Sequence, residues 1–121
     1  MEKIVVTRHA NVVEWLVKHG HVQPDVTVIE HANYGHIKGK EVFGVLPMFL
    51  AHAAGCVHHI DLNRLPAEKR GQELSVDEME EYGAFLQSYK VLKLEDWESM
   101  MEDLESALEA YRLACERANR Y

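Results

Sequence analysis

The chain has 121 residues, two cysteines, 47% hydrophobic residues and a formal net charge of −7. That is enough chain for one core, and the composition excludes a disordered protein. The acidity excludes broad binding to duplex DNA or RNA, and no apolar run approaches the ~20 residues that span a bilayer.

Met1-Glu2-Lys3 leads straight into an apolar run, so no signal peptide is expected. Ile4-Val5-Val6-Thr7-Arg8 reads as a strand covered on both faces, because its apolar residues do not alternate. A helix follows to about Lys18, with Val12, Val13, Leu16 and Val17 as its stripe, and Gly20 ends it. Trp15 falls off that stripe, which leaves a core role and a ligand or interface role both open. Val26 to Glu30 is a second strand, and Asn33 to Lys40 is loop material. Glu41 to Leu46 is a third strand. Pro47 suits the first position of a short helix from Met48 to Gly55.

Val57 to Leu62 is a fourth strand, followed by a loop from Asn63 to Leu74 that carries Arg64, Lys69, Arg70 and Gly71. Ser75-Val76-Asp77-Glu78 is a capping box, and its helix is expected to reach about Leu86. Tyr89 to Leu94 alternates and is expected as a fifth strand at a sheet edge. Asp96 is expected to cap a last helix. Its stripe is Trp97, Met100, Met101, Leu104, Leu108, Tyr111, Ala114, Cys115 and Ala118. Residues 96–121 hold seven acids against three arginines, so the acid is concentrated there.

Strands alternating with helices predict an α/β fold: a Rossmann-like three-layer sandwich with a mostly parallel sheet of about five strands. Residues 1–95 form its body, and 96–121 add an amphipathic helix to the same domain. In such sheets ligands gather at the carboxyl ends of the strands. Here those ends are Thr7-Arg8-His9, Glu30-His31, Leu46-Pro47 and Asp61-Leu62. At Thr7-Arg8-His9 a strand turns directly into a helix, whose free N–H groups and dipole suit an anion. An arginine and a histidine stand beside that point, so the segment reads as a phosphate or nucleotide site.

Other chemistries are poorly supported. A strand ending in Arg-His also opens the histidine phosphatases, but that family continues with glycine where Ala10 stands here. Eight histidines invite a metal, yet none forms HxxxH, His58 and His59 point to opposite faces, and no cysteine partner is expected near any of them. No metal and no cofactor are therefore expected. There is no GxxxxGK[ST] and no GxGxxG. The two cysteines lack CxxC spacing and read as reduced thiols of a cytoplasmic protein.

Val5-Val6-Thr7-Arg8-His9 followed by Glu14-Trp15-Leu16 resembles the opening of a small Csx family of CRISPR-associated accessory proteins from type III systems. The resemblance continues through Gly44-Val45-Leu46-Pro47 and Leu65 to Gly71. It includes Glu73 to Met79 and Tyr82-Gly83-Ala84, and so spans roughly residues 4–94. It implies a ring nuclease with a fold akin to CRISPR-associated Rossmann domains. Such a protein binds cyclic oligoadenylate, chiefly the four-membered ring (cA4), cleaves it without metal and acts as a homodimer. On position, Arg8 and His9 are the expected catalytic pair, with their two jobs unassigned. Thr7, Asn11, Trp15, Leu46, Pro47, Lys69, Arg70 and Gly71 are the expected ring-binding residues. Two rivals stand beside this reading: a binder of the ring without turnover, and an interaction protein working through its acidic last helix.

Overall fold

A computed structural model describes residues 1–118. The chain divides into two compact units, one from Met1 to Val91 and one from Leu92 onward.

The first unit is the expected α/β sandwich. Its sheet has five strands: β1 (Lys3–Val6), β2 (Thr27–Ile29), β3 (Glu41–Gly44), β4 (Cys56–Leu62) and β5 (Ala84–Tyr89). The spatial order is β2-β1-β3-β4-β5. The first four run parallel, and β5 pairs antiparallel with β4. Alternation along the central strands feeds two apolar layers. Ile4, Val6, Val42 and Val57 face Ile37, Ala51 and Ala54 on one side. Val5 and Phe43 face Trp15, Leu16, Val22 and Met79 on the other. Trp15 and Leu16 come from α1 (Ala10–Lys18), Ile37 from α2 (Tyr34–Ile37), Ala51 from α3 (Met48–Ala51) and Met79 from α4 (Val76–Glu81), while Val22 and Ala54 lie in the segments that follow α1 and α3.

The punctuation of α1 and α4 follows local chemistry. Gly20, at φ +73°, lets His21 N–H donate to Leu16 O at 2.9 Å and Gly20 N–H to Val17 O at 3.0 Å, which closes α1. The capping box at Ser75 forms, with Glu78 N–H donating to Ser75 Oγ at 3.1 Å and Ser75 N–H to Glu78 Oε1 at 3.3 Å.

Three expectations need correction. First, α4 stops at Glu81 instead of reaching Leu86, because Gly83 adopts φ +72° and turns the chain into β5. The edge strand is therefore Ala84–Tyr89, not Tyr89 to Leu94. Second, the stretch read as loop contains α2, held by Asn33: its side chain accepts from His36 N–H at 3.0 Å, while His36 Nδ1 accepts from Asn33 N–H at 3.1 Å. Third, Trp15 lies on the buried face. Val12, Trp15 and Leu16 are spaced i, i+3, i+4, and Trp15 is only 2% exposed.

The second unit is α5 (Leu94–Ala118), two residues longer at its start than Asp96 implied. Trp97, Met100, Leu104, Leu108 and Tyr111 are exposed along it. Arg112 pairs with Glu109 and Glu116, three and four residues away on the same helix. No described helix is long and apolar enough to cross a membrane.

Candidate functional site

β1 stops at Val6, and the three residues before α1 form the centre of the site. Thr7 N–H donates to Ile29 O at 3.0 Å, which keeps the outgoing chain against β2. Thr7 Oγ1 accepts from His9 N–H at 3.1 Å, which tightens the turn into the helix. His9 occupies the N-cap of α1 with no side-chain cap, and the first turn carries no acid. Val12 N–H donates to His9 O at 3.1 Å, so the free donors at the positive end of α1 are the amides of Ala10 and Asn11.

Two clefts meet at this turn, and Thr7, Arg8, His9 and Glu30 line both of them. One, of about 840 Å³, runs between α1 and the β2 side and is lined also by Glu14, Lys18 and Val28. The other, of about 520 Å³, crosses the carboxyl ends of β1, β3 and β4. His31, Gly44, Val45, Leu62, Gln72 and Leu74 are among its walls. Arg8 is exposed on the ridge between the clefts and forms no ion pair among the described residues. Arg8 is therefore not neutralised by a surface carboxylate among the described residues. His9 Nδ1 stands 3.7 Å from Glu73 Oε1, beyond hydrogen-bond range, and both side chains are about half exposed.

The floor under the second cleft is unusually close-set. Gly44 pairs with Val6 and has φ +135°, and a Cβ there would lie 2.1 Å from Val6 O. Only glycine permits this approach of two strands directly beneath Arg8.

The other expected binding residues divide. Asn11 does not face either cleft: its Nδ2 donates to Leu74 O at 3.0 Å and ties α1 to the loop. That tie, with the His9–Glu73 pair, seats Gln72 to Leu74 at the ligand edge. Lys69, Arg70 and Gly71 line neither cleft. Lys69 Nζ is 3.4 Å from Glu78 Oε2, where it supports the cap of α4; the Ser75 N–H bond first, and then Lys69, hold the Glu78 carboxyl below its ordinary pKa. Arg70 is exposed, and Gly71 turns at φ +77°. Leu46 and Pro47 follow β3 but line neither cleft, and Trp15 is in the core. The set thus reduces to Thr7, Arg8 and His9, joined by Glu30, His31, Gln72 and Leu74. Glu30 and His31 were legible as a strand end; Gln72 and Leu74 were not, because a contact spanning 63 residues brings them in.

One histidine does have a cysteine neighbour, contrary to the sequence reading. Cys56 and His58 share a face of β4, since alternation returns after two residues, and Cys56 Sγ lies 3.6 Å from His58 Nε2.

Residues 4–92 match the family described as "Putative CRISPR-associated protein (Cas_VVA1548)". No curated protein and no solved structure matches the chain.

Proposed function

The chain belongs to this family of CRISPR-associated proteins, and on that premise we propose that it is a ring nuclease acting on cyclic oligoadenylate. The observation that carries the reading is Arg8: an unpaired guanidinium on a ridge shared by two clefts, beside an uncapped helix start. A ring of phosphodiesters has bases and phosphates to lay on both sides of such a ridge. Cyclic tetra-adenylate is the preferred ring, from the sequence resemblance.

In the proposed reaction the ribose 2′-oxygen attacks its own 3′-phosphorus and the P–O5′ bond breaks. The products are a 2′,3′-cyclic phosphate and a free 5′-hydroxyl. Arg8 and the amides of α1 stabilise charge on the non-bridging oxygens. His9, with Glu73 nearby, exchanges a proton, taking one from the 2′-hydroxyl or giving one to the departing O5′. The step needs no metal. The protein acts as a cytoplasmic homodimer, in which a two-fold ring sits on a two-fold axis, and its role is to end type III CRISPR antiviral signalling.

A second reading, binding without turnover, is favoured by the loss of Lys69 and Arg70 from the site, which leaves Arg8 with fewer cationic helpers. An excess of full-length protein mixed with cyclic tetra-adenylate in EDTA separates the two. Linear product with a cyclic phosphate end supports the nuclease; bound but intact ring supports the second reading; no binding of rings of three, four or six adenylates refutes both.

A further inference from the structure

Glu41 opens β3 and lies directly across from Cys56, the first residue of β4. His58 follows on the same face, and all three side chains are half-buried. Their donor atoms lie within 4.8 Å of one another. Glu41 Oε1 is 2.8 Å and Cys56 Sγ 3.6 Å from the same ring nitrogen, His58 Nε2. The opposite nitrogen, Nδ1, is 2.7 Å from Ser88 Oγ on β5. This is not a nucleophile relay, which places thiol and carboxylate on different nitrogens of the imidazole. Carboxylate, thiol and imidazole instead converge on one point.

We propose that Glu41, Cys56 and His58 form a binding site for a divalent transition-metal ion of the zinc type, with Ser88 orienting the imidazole. The donor set of one sulfur, one nitrogen and one oxygen suits zinc and excludes magnesium or calcium, which avoid sulfur. The spacing fits as well. Tetrahedral zinc with ordinary bond lengths separates sulfur from nitrogen by about 3.6 Å and nitrogen from oxygen by about 3.4 Å. The first separation is already present, and the second requires Glu41 to withdraw by about 0.6 Å, a small rotation of a half-exposed side chain.

The protons balance by a tautomer change. Without metal, the Glu41 carboxylate accepts from Nε2–H, and the Ser88 hydroxyl donates to Nδ1. With metal, the Nε2 lone pair binds the ion, Nδ1–H donates to Ser88 Oγ, and the Cys56 thiol loses its proton. About one proton leaves per ion bound. The fourth position stays open to water. The site lies at the amino-terminal end of the sheet, away from Arg8, and joins β3, β4 and β5. The ion therefore acts as a staple across three strands and not in ring cleavage.

The test uses full-length reduced protein, stripped with a chelator, then titrated with Co²⁺ and competed with Zn²⁺. The expected result is one ion per chain, a thiolate-to-cobalt charge-transfer band, and a higher unfolding midpoint with Zn²⁺. Cys56→Ser should abolish the band and weaken Zn²⁺ binding by about 100-fold or more. Ser88→Ala should keep the band and weaken binding by about 10–100-fold. Should Cys56→Ser fail to fold, His58→Asn takes its place with the same expected loss. Absence of the band in folded wild-type protein overturns the proposal. So does Zn²⁺ affinity unchanged in Cys56→Ser, because the ion would then sit on other histidines or on Cys115. None of these outcomes depends on ring cleavage, so failure here and failure of the nuclease reading are separable.

Discussion

Replacing Gly44 with alanine tests whether the floor of the site is set by the strands themselves. The new Cβ would meet Val6 O at 2.1 Å, while ordinary contact begins near 3.4 Å, so the two strands must part by about 1.3 Å. The backbone at φ +135° adds strain for any L-side chain, about 1–3 kcal/mol. Parting the strands weakens the last rung between β1 and β3, about 0.5–1.5 kcal/mol per hydrogen bond. The expected loss is therefore about 1.5–4.5 kcal/mol, a large fraction of the roughly 5–15 kcal/mol that holds a domain together. Urea unfolding followed by far-ultraviolet circular dichroism measures it. Gly35→Ala is the control: a Cβ there lies 3.5 Å from Asn33 Oδ1, an ordinary contact, and stability should change by under about 1 kcal/mol. A Gly44→Ala protein as stable as its Gly35→Ala counterpart would refute the reasoning.

Arg8→Ala should leave unfolding midpoints unchanged and lower single-turnover ring cleavage by about 10²–10³-fold; unchanged turnover removes Arg8 from the chemistry. Arg70→Ala should leave ring affinity by calorimetry unchanged, whereas Asn11→Ala should weaken it by freeing Leu74 and its neighbours; the reverse ranking would show that Arg70 reaches the ring. Burial, with His19, His58 and Lys3 facing it, holds the His21 pKa below its ordinary 6.5. The unfolded chain therefore binds the extra proton first, and this contribution to stability, full above pH 6.5, is lost as pH falls below it. In metal-free protein His21→Gln should flatten the decline of unfolding free energy below that pH, and an identical decline in both proteins would exclude His21 as its source.

The sandwich was legible because β-branched runs such as Ile4-Val5-Val6 alternate with helical stripes, and that alternation has few solutions. The last strand is hard to place by sequence because Tyr89 to Leu94 alternates better than Ala84-Phe85-Leu86-Gln87-Ser88-Tyr89, the segment that forms it. The decision rests on Gly83, whose positive φ ends α4 early. The four-residue α2 was invisible to periodicity, since it depends on Asn33 and His36 capping each other. In the site, Thr7, Arg8 and His9 could be found because a parallel sheet delivers them to its carboxyl edge. Leu46, Pro47 and Lys69 follow the same logic but line neither cleft. Local position does not say where a loop settles, and Lys69 settles on Glu78. Cys56 and His58 were two residues apart in plain view, but their convergence with Glu41 needed the register between β3 and β4.

The strand order also bears on synthesis. β1 lies between β2 and β3, so the residues leading to Arg8 have no complete neighbourhood until Gly44 has been made. Val6 precedes Gly44 by about 40 residues, a wait of roughly 2–8 s at ordinary translation speeds. During that interval Ile4, Val5 and Val6 are an apolar strand with at most one open partner, β2, which is only three residues long. A ribosome-associated chaperone that covers short apolar segments would find one in Ile4-Val5-Val6 throughout that wait. A pause in translation before β3 would lengthen the exposure of that segment more than a pause anywhere after it.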